Sequence, residues 1–145
     1  MADFVVRVAS PRPASVVFAR LVDWDAHSAA IPFTVLHHEG AATLGQRFVA
    51  RTGLGRLGFD DPMRVDLLRP PAGDRPGDVS GQVEVTKTGR VLRGSVRWTV
   101  TPLPAGAEVE WRQRLVVGWL PRFLDPVVGL VGRAAYGAGL RRLLA

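Results

Sequence analysis

Residues 92–117 carry the pattern that most constrains the fold, because side chains of opposite character alternate through two consecutive segments. Period-two alternation predicts antiparallel strands with one buried and one exposed face. The Pro-rich link 102–106 cannot continue a strand, so it predicts a hairpin that places Trp98 and Trp111 opposite or one step apart on the buried face. The positions assigned to that face are Leu92, Gly94, Val96, Trp98 and Val100, then Val109, Trp111, Gln113, Leu115 and Val117.

The hairpin that precedes these strands is predicted to have a two-residue turn at Thr88 and Gly89. This turn places Val85 opposite Leu92 and Gly81 near Val96, again on the buried face.

The remaining segments predict an α+β fold. Ser10 and Pro11 are typical of a helix start, and Asp23 of a second one, so two short helices are expected at 12–22 and 23–30. Pro32 is expected to end the second. A curved seven-stranded antiparallel sheet wrapped around a long C-terminal helix satisfies the order of elements. The strands before the hairpin are predicted at 4–8, 34–38, 47–52, 63–68 and 79–85.

The last helix is predicted from Pro126 to Leu144, with an apolar side that covers the sheet. Gly129, Gly132, Gly137 and Gly139 each weaken it by about 1 kcal/mol relative to Ala, which indicates close packing or space beneath the helix. The apolar side consists of Leu124, Val127, Val128, Val131, Ala135 and Ala138.

Length and composition predict one domain over residues 1–145. No cysteine is present, which excludes disulfides and a thiolate nucleophile. Without a visible secretory signal or an apolar run of about 18 residues, we expect a cytoplasmic protein with no stable membrane insertion. The net charge of +6 is spread along the chain, and Arg97 and Arg112 have acidic cross-strand neighbours, so we expect no nucleic-acid partner.

The segment 53–58 matches G-x-G-x-x-G, a motif that binds dinucleotides when a helix begins within it. Because Phe59 to Pro62 cannot be a helix interior, we interpret the segment as a flexible loop between antiparallel strands, at most a lid at a cavity mouth. No cofactor is expected.

Candidate catalytic residues are few. His37 and His38 are adjacent on a strand, so one is expected to face inward and to be structural or a general base. Adjacent strand histidines do not converge on a metal, so no metal is expected. Asp60 and Asp61 beside Pro62 are typical of a turn, although Asp61 remains a candidate base.

The predicted buried face also carries candidate binding residues. Gln113 is an amide between Trp111 and Leu115, and it either bonds within the core or fixes the polar end of a ligand. Trp98 and Trp111 are core residues or the walls of a pocket for flat ligands.

The chain resembles the START-related (SRPBCC) superfamily, which includes polyketide cyclase/dehydrases, lipid-transfer proteins and pollen-allergen-like proteins. The resemblance rests on the order of elements, the segments 4–18 and 58–63, Asp23–Trp24 and the terminal helix. It implies a helix-grip fold with an elongated apolar cavity between sheet and helix. Members bind lipids, polyketides or sterols, and only some catalyse.

Three functions are therefore considered. The first is binding or transfer of a hydrophobic small molecule, with no reaction catalysed. The second is a polyketide cyclase/dehydratase-type enzyme, and the third is an interaction or regulatory module of the same fold; a homodimer is compatible with each. The expected ligand-binding residues are Trp98, Trp111, Gln113, Phe48, Met63, Val96, Val131 and Tyr136.

Overall fold

A computed structural model describes residues 2–31, 33–54 and 56–145. The first half of the chain forms β1 (Ala2–Ser10), α1 (Ala14–Leu21), α2 (Trp24–Ala30), β2 (Thr34–His37), β3 (Arg47–Leu54) and β4 (Leu57–Arg69). The second half forms β5 (Gly81–Thr88), β6 (Leu92–Leu103), β7 (Gly106–Val117), a 3-10 turn (Arg122–Leu124) and α3 (Asp125–Leu144).

The seven strands form one antiparallel sheet in the order β1-β7-β6-β5-β4-β3-β2. Strands β2 to β7 are neighbours in sequence order, and β1 joins the outer side of β7. The α+β architecture, the seven antiparallel strands, the two short helices after the first strand and the long C-terminal helix are all confirmed. Within the described residues, no helix has both the length and the apolar character needed to cross a membrane.

The central hairpin has the predicted register. Trp98 lies directly opposite Trp111, and both indoles are buried on the concave face. On the other face, Arg97 pairs with Glu84 at 2.7 Å and Arg7 with Glu110 at 3.3 Å, so cross-strand ion pairs use part of the positive charge.

The predicted register of the preceding hairpin is wrong. Val85 lies opposite Val96, and Thr88 opposite Arg93, so the connection is longer than a two-residue turn. The error is four residues, an even number, and side chains alternate with period two. The predicted buried face therefore survives.

Of the two predicted starts of the short helices, one is wrong and one is correct. Helix α1 begins at Ala14 after Pro13, whereas Ser10 ends β1, so the predicted cap at Ser10 and Pro11 is wrong. Asp23 caps α2 as predicted, because its carboxylate accepts a hydrogen bond from the Ala26 amide. The expected helix stop at Pro32 lies outside the described residues.

Helix α3 packs against β1 and α2, and Gly132 makes its close approach to β1 possible. A Cβ on Gly132 would lie 2.7 Å from Phe4 Cε1, and one on Gly137 would lie 3.4 Å from Val6 Cγ1. The predicted packing role is therefore confirmed for Gly132, whereas a Cβ on Gly129, Gly137 or Gly139 would make only ordinary contacts. The buried residues of the helix are Gly132, Gly137, Gly139, Leu140, Leu143 and Leu144.

Strands β3 and β4 pair with each other at both ends of the glycine-rich segment. Gly53 lies opposite Gly58 and Leu54 opposite Leu57, and strand β4 then continues to Arg69. A Cβ on Gly53 would lie 2.3 Å from the Leu57 carbonyl oxygen, so the close approach of the strands explains this glycine. The motif therefore connects two antiparallel strands, as predicted, but Gly53, Leu54, Leu57 and Gly58 belong to the strands and not to a loop; Gly55 lies outside the described residues.

Candidate functional site

A cavity of about 720 Å³ lies between the concave face of the sheet, α2 and α3. Its volume falls within the range of roughly 300 to 1,000 Å³ that ligand pockets usually occupy. The charged or polar side chains in its lining are His27, Thr34, Thr52, Asp61, Lys87 and Arg142. The aromatic ones are Trp24, Phe48, Phe59, Trp98, Trp111, Trp119 and Tyr136.

One wall of the cavity is a continuous row of rings. Phe48 stacks on Trp24 with ring centroids 4.5 Å apart, and Trp98 meets Trp111 edge to face at 5.2 Å. Tyr136 continues the row 5.1 Å from Trp111. Trp111 thus contacts α3 through Tyr136, whereas Trp98 packs against α2 through Trp24. Such a wall presents ring faces and edges to a flat ligand.

The cavity opens beneath the first half of α3. Val127 and Val131 line the cavity and are 55% and 61% exposed, and Trp119 is 73% exposed in the link that precedes the helix. The predicted apolar side of α3 therefore does not seal the sheet, since the buried residues of the helix begin only at Gly132. This half-open arrangement leaves an entrance rimmed by large apolar side chains.

The structure brings most of the predicted binding residues together. Trp98, Trp111, Phe48, Met63, Val96, Val131 and Tyr136 all line the cavity.

Gln113 lies outside the cavity lining. Its side chain is fully buried within the sheet layer, and its Oε1 accepts a hydrogen bond from Trp111 Nε1 at 3.0 Å. Its Nε2 has no partner among the described residues. The Gln113 amide therefore holds the Trp111 indole in place within the core. This geometry favours the first of the two roles considered above, a hydrogen bond within the core, over contact with a ligand.

The prediction that His37 or His38 faces inward is wrong. His37 is exposed, and His38 bonds to the Asp25 carboxylate at 2.8 Å and to the Gly40 carbonyl. Both histidines line a separate surface groove. The hydrogen bond to Asp25 raises the pKa of His38, as expected for an imidazolium beside a carboxylate.

The histidine that lines the cavity is His27 on α2, which was not among the candidates named from the sequence. Its Nε2–H donates to the Leu21 carbonyl oxygen at 2.6 Å, and its ring lies 5.6 Å from that of Trp98. Burial lowers the pKa of His27 below 6.5, although the Leu21 hydrogen bond acts in the opposite direction. His27 is therefore a neutral, fixed part of the wall at neutral pH.

We expect His27 to make the fold sensitive to mild acid. Because its folded pKa is depressed, its contribution to stability is complete above pH 6.5 and is lost as the pH falls towards the folded value. Chemical unfolding at a series of pH values should show this decline, and His27→Gln should flatten it. The matched variant His38→Gln should not flatten it, since the pKa of His38 is shifted upward. An identical decline in the His27→Gln protein would contradict this assignment.

A buried ion pair lies on the cavity floor. Lys87 Nζ donates to Asp61 Oδ2, and the two side chains are 4% and 6% exposed. The prediction of a turn at Asp60 and Asp61 is wrong, because both residues lie within strand β4. Asp61 and Met63 share the inward face of that strand, and Met63 is directly opposite Lys87. Lys87 was not singled out from the sequence.

Lys87 is protonated at neutral pH, and the hydrogen-bonding capacity of the ion pair is only partly used. Burial acts to lower the pKa of Lys87, but Tyr136 and Asp61 outweigh it, so the pKa is raised above its ordinary value. Asp61 Oδ1 and Trp98 Nε1 have no hydrogen-bond partner among the described residues. The described part of the chain contains no group of three or more acidic or histidine side chains arranged to hold a metal ion.

An antiparallel sheet that grips a cavity with a long C-terminal helix is the helix-grip architecture. The chain belongs to the family described as polyketide cyclase / dehydrase and lipid transport, whose model matches residues 1–145. A search of curated proteins finds no match to this sequence.

Solved structures share the fold at low sequence identity. TTHA0849 from Thermus thermophilus superposes with a TM-score of 0.74 at 12% identity, over 97% of this chain and 93% of that one. The di-domain ARO/CYC protein StfQ from the steffimycin biosynthetic pathway gives 0.74 at 16% identity, over 99% of this chain and 49% of that one. Ara h 8.0201 gives 0.64 at 15% identity, over 98% and 97%. These likenesses concern the fold alone.

Proposed function

We propose that this protein binds one flat, hydrophobic small molecule, such as an aromatic compound or a polyketide, in the cavity beneath α3. The observation that carries the proposal is the cavity of about 720 Å³ with a wall of stacked and edge-to-face rings. Apolar walls supply the binding energy, and the few polar groups on the floor orient the ligand.

Two features support a role in binding. The entrance is rimmed by exposed apolar side chains, including Val131 and Trp119, which gives a hydrophobic molecule a route into the cavity. His27, the histidine that faces the cavity, already donates a hydrogen bond to the Leu21 carbonyl, and burial keeps its ring neutral. These features favour a structural role in the cavity wall over a catalytic one.

The proposal predicts that filling the cavity abolishes binding. Ala135 lines the cavity on α3, so Ala135→Trp should place an indole where the ligand would lie. Titration with 2-acetonaphthone, followed by tryptophan fluorescence, should give saturable binding to the wild type and at least tenfold weaker binding to this variant. Ala134 is also exposed on α3 but lies outside the lining, so Ala134→Trp should bind like the wild type. Equal affinity of both variants would contradict the proposed location.

A cyclase- or dehydratase-type enzyme is the second candidate, and the buried Asp61–Lys87 pair favours it. Such reactions need a base that removes a proton next to a carbonyl and a cation that stabilises the enolate oxygen. In D₂O, the Asp61 carboxylate would take a methyl proton from 2-acetonaphthone, and a deuteron would return to carbon. Exchange faster than with the Asp61→Leu/Lys87→Met variant supports an enzyme, and an equal rate supports a binding protein.

A further inference from the structure

The ion pair on the cavity floor leaves hydrogen-bonding capacity unused on both partners. An ammonium has three N–H donors, and the acceptors found for Lys87 in the described part of the chain are Asp61 Oδ2 and the weak acceptor Met63 Sδ at 3.7 Å. On the other partner, Asp61 Oδ1 is sealed from solvent and lacks any partner among the described residues. An unsatisfied carboxylate oxygen in an apolar site is costly, so a group that supplies a donor there gains free energy.

We infer that the Asp61–Lys87 pair is a recognition site for a neutral ligand group that carries a hydrogen-bond acceptor and a donor side by side. The acceptor, a carbonyl oxygen, bonds to Lys87 Nζ, and the neighbouring N–H or O–H bonds to Asp61 Oδ1. Primary amides and the enols of 1,3-dicarbonyl compounds have this arrangement. The inference rests on the proposed binding function of the cavity.

Charge balance selects a neutral group over an anion. The pair has no net charge, so a carboxylate placed on it would leave an uncompensated negative charge within apolar walls. The other formally charged residue in the described lining is Arg142, which is exposed on the last turn of α3. Because water screens its charge, Arg142 would offset little of the free energy needed to bury a carboxylate in the cavity.

Met63 provides access to the pair. Its thioether lies against Lys87 Nζ, and the residue lines the cavity from the position directly opposite Lys87. Methionine is unbranched and adapts readily to its neighbours, so a rotamer change uncovers the polar atoms without moving the strand.

Three isosteric probes test the inference in calorimetric titrations of the wild-type protein. 2-Naphthamide carries the acceptor and the donor, 2-acetonaphthone replaces the NH₂ by CH₃, and 2-naphthoate is the anion of the same shape. We expect the amide to bind about tenfold or more tightly than the ketone, because a hydrogen bond to a charged group contributes about 1.5 to 3 kcal/mol. The naphthoate should bind more weakly than the amide.

The variant Asp61→Leu/Lys87→Met supplies the control, because it replaces the pair by apolar side chains of similar size. It should bind the ketone at least as tightly as the amide, since the amide loses its partners and still has to shed water. If this variant does not fold, the carbonyl stretch of ¹³C-labelled 2-naphthamide bound to the wild type serves instead. A shift to lower wavenumber than in water is expected for a carbonyl bonded to an ammonium, and no shift would count against the inference.

The outcomes separate the inference from the proposed function. Saturable binding of all three probes without preference for the amide would overturn the inference and leave the hydrophobic binding function standing. Tightest binding of the naphthoate would also overturn it, in favour of an anion site. Failure of every probe to bind would contradict the proposed function itself.

Discussion

Replacing Trp111 by alanine is expected to lower the free energy of unfolding by about 3 to 5 kcal/mol, the usual cost of removing a large packed side chain. The indole lines the cavity but is only 4% exposed, and it contacts the rings of Trp98 and Tyr136. The substitution also removes the hydrogen bond that holds Gln113 Oε1 in the sheet core. Urea unfolding monitored by far-UV circular dichroism measures the loss.

Trp119→Ala is the matched control for this prediction. Trp119 also lines the cavity but is 73% exposed, so its removal should change the unfolding free energy by no more than about 0.5 kcal/mol. A small effect at both positions would mean that the Trp111 indole faces open space and is not part of the packed core.

Breaking the buried ion pair from one side is expected to have an effect of similar size. Lys87→Met leaves the Asp61 carboxylate buried without a counter-charge, which typically costs about 3 to 5 kcal/mol. Arg64→Met removes an exposed partner of Asp66 on strand β4, where the ion pair is worth about 0 to 1 kcal/mol. Thermal and urea unfolding of the two proteins at neutral pH compares a buried with an exposed pair.

The double variant Asp61→Leu/Lys87→Met should recover most of the stability lost in Lys87→Met, because no buried charge remains. Retaining such a pair in an apolar cavity is then explained by function more readily than by stability. A double variant as unstable as the single one would show that the pair is needed for the fold, and it would weaken the case for a ligand-recognition role.

The sheet could be predicted from the sequence because alternation with period two fixes the face of each side chain even where the register is wrong. The hairpin after Val85 illustrates this. The predicted partner of Val85 was wrong by four residues, because the connection is longer than expected. Val85 and its actual partner Val96 nevertheless share the buried face. Turn residues set the register only when the turn type is known, and a Thr-Gly pair does not determine it.

The residues of the candidate site that were predicted are mostly apolar or aromatic; Asp61 was named as a candidate base, but its position in a strand was not predicted. Asp61 was assigned to a turn because Asp and Pro are typical of turns, whereas cross-strand pairing with Ala50 keeps it in a strand. The alternation of β5 contained the missed signal, since Lys87 has the same parity as Val83 and Val85 and must share their buried face. A lysine at such a position indicates a buried partner.

The position of His27 in the cavity wall and the location of the cavity entrance could be recognised only from the three-dimensional structure. The spacing of Trp24 and His27 places them on one side of α2, but only the packing of α2 over the sheet shows that this side meets Trp98. Similarly, the apolar residues of α3 do not tell which part of the helix is buried. The buried part begins at Gly132, where the helix lies closely against Phe4 of β1.

We propose that a flat hydrophobic molecule binds between the aromatic wall and the Asp61–Lys87 pair. A crystal structure of the protein with 6-bromo-2-acetonaphthone provides the test. The anomalous signal of bromine shows where the probe lies before any ligand is fitted to the density. We expect one bromine site inside the cavity, with the naphthalene ring against Trp98 or Phe48 and the ketone directed towards Lys87. Bromine density confined to the outer surface, with the cavity empty at saturating probe, would contradict it.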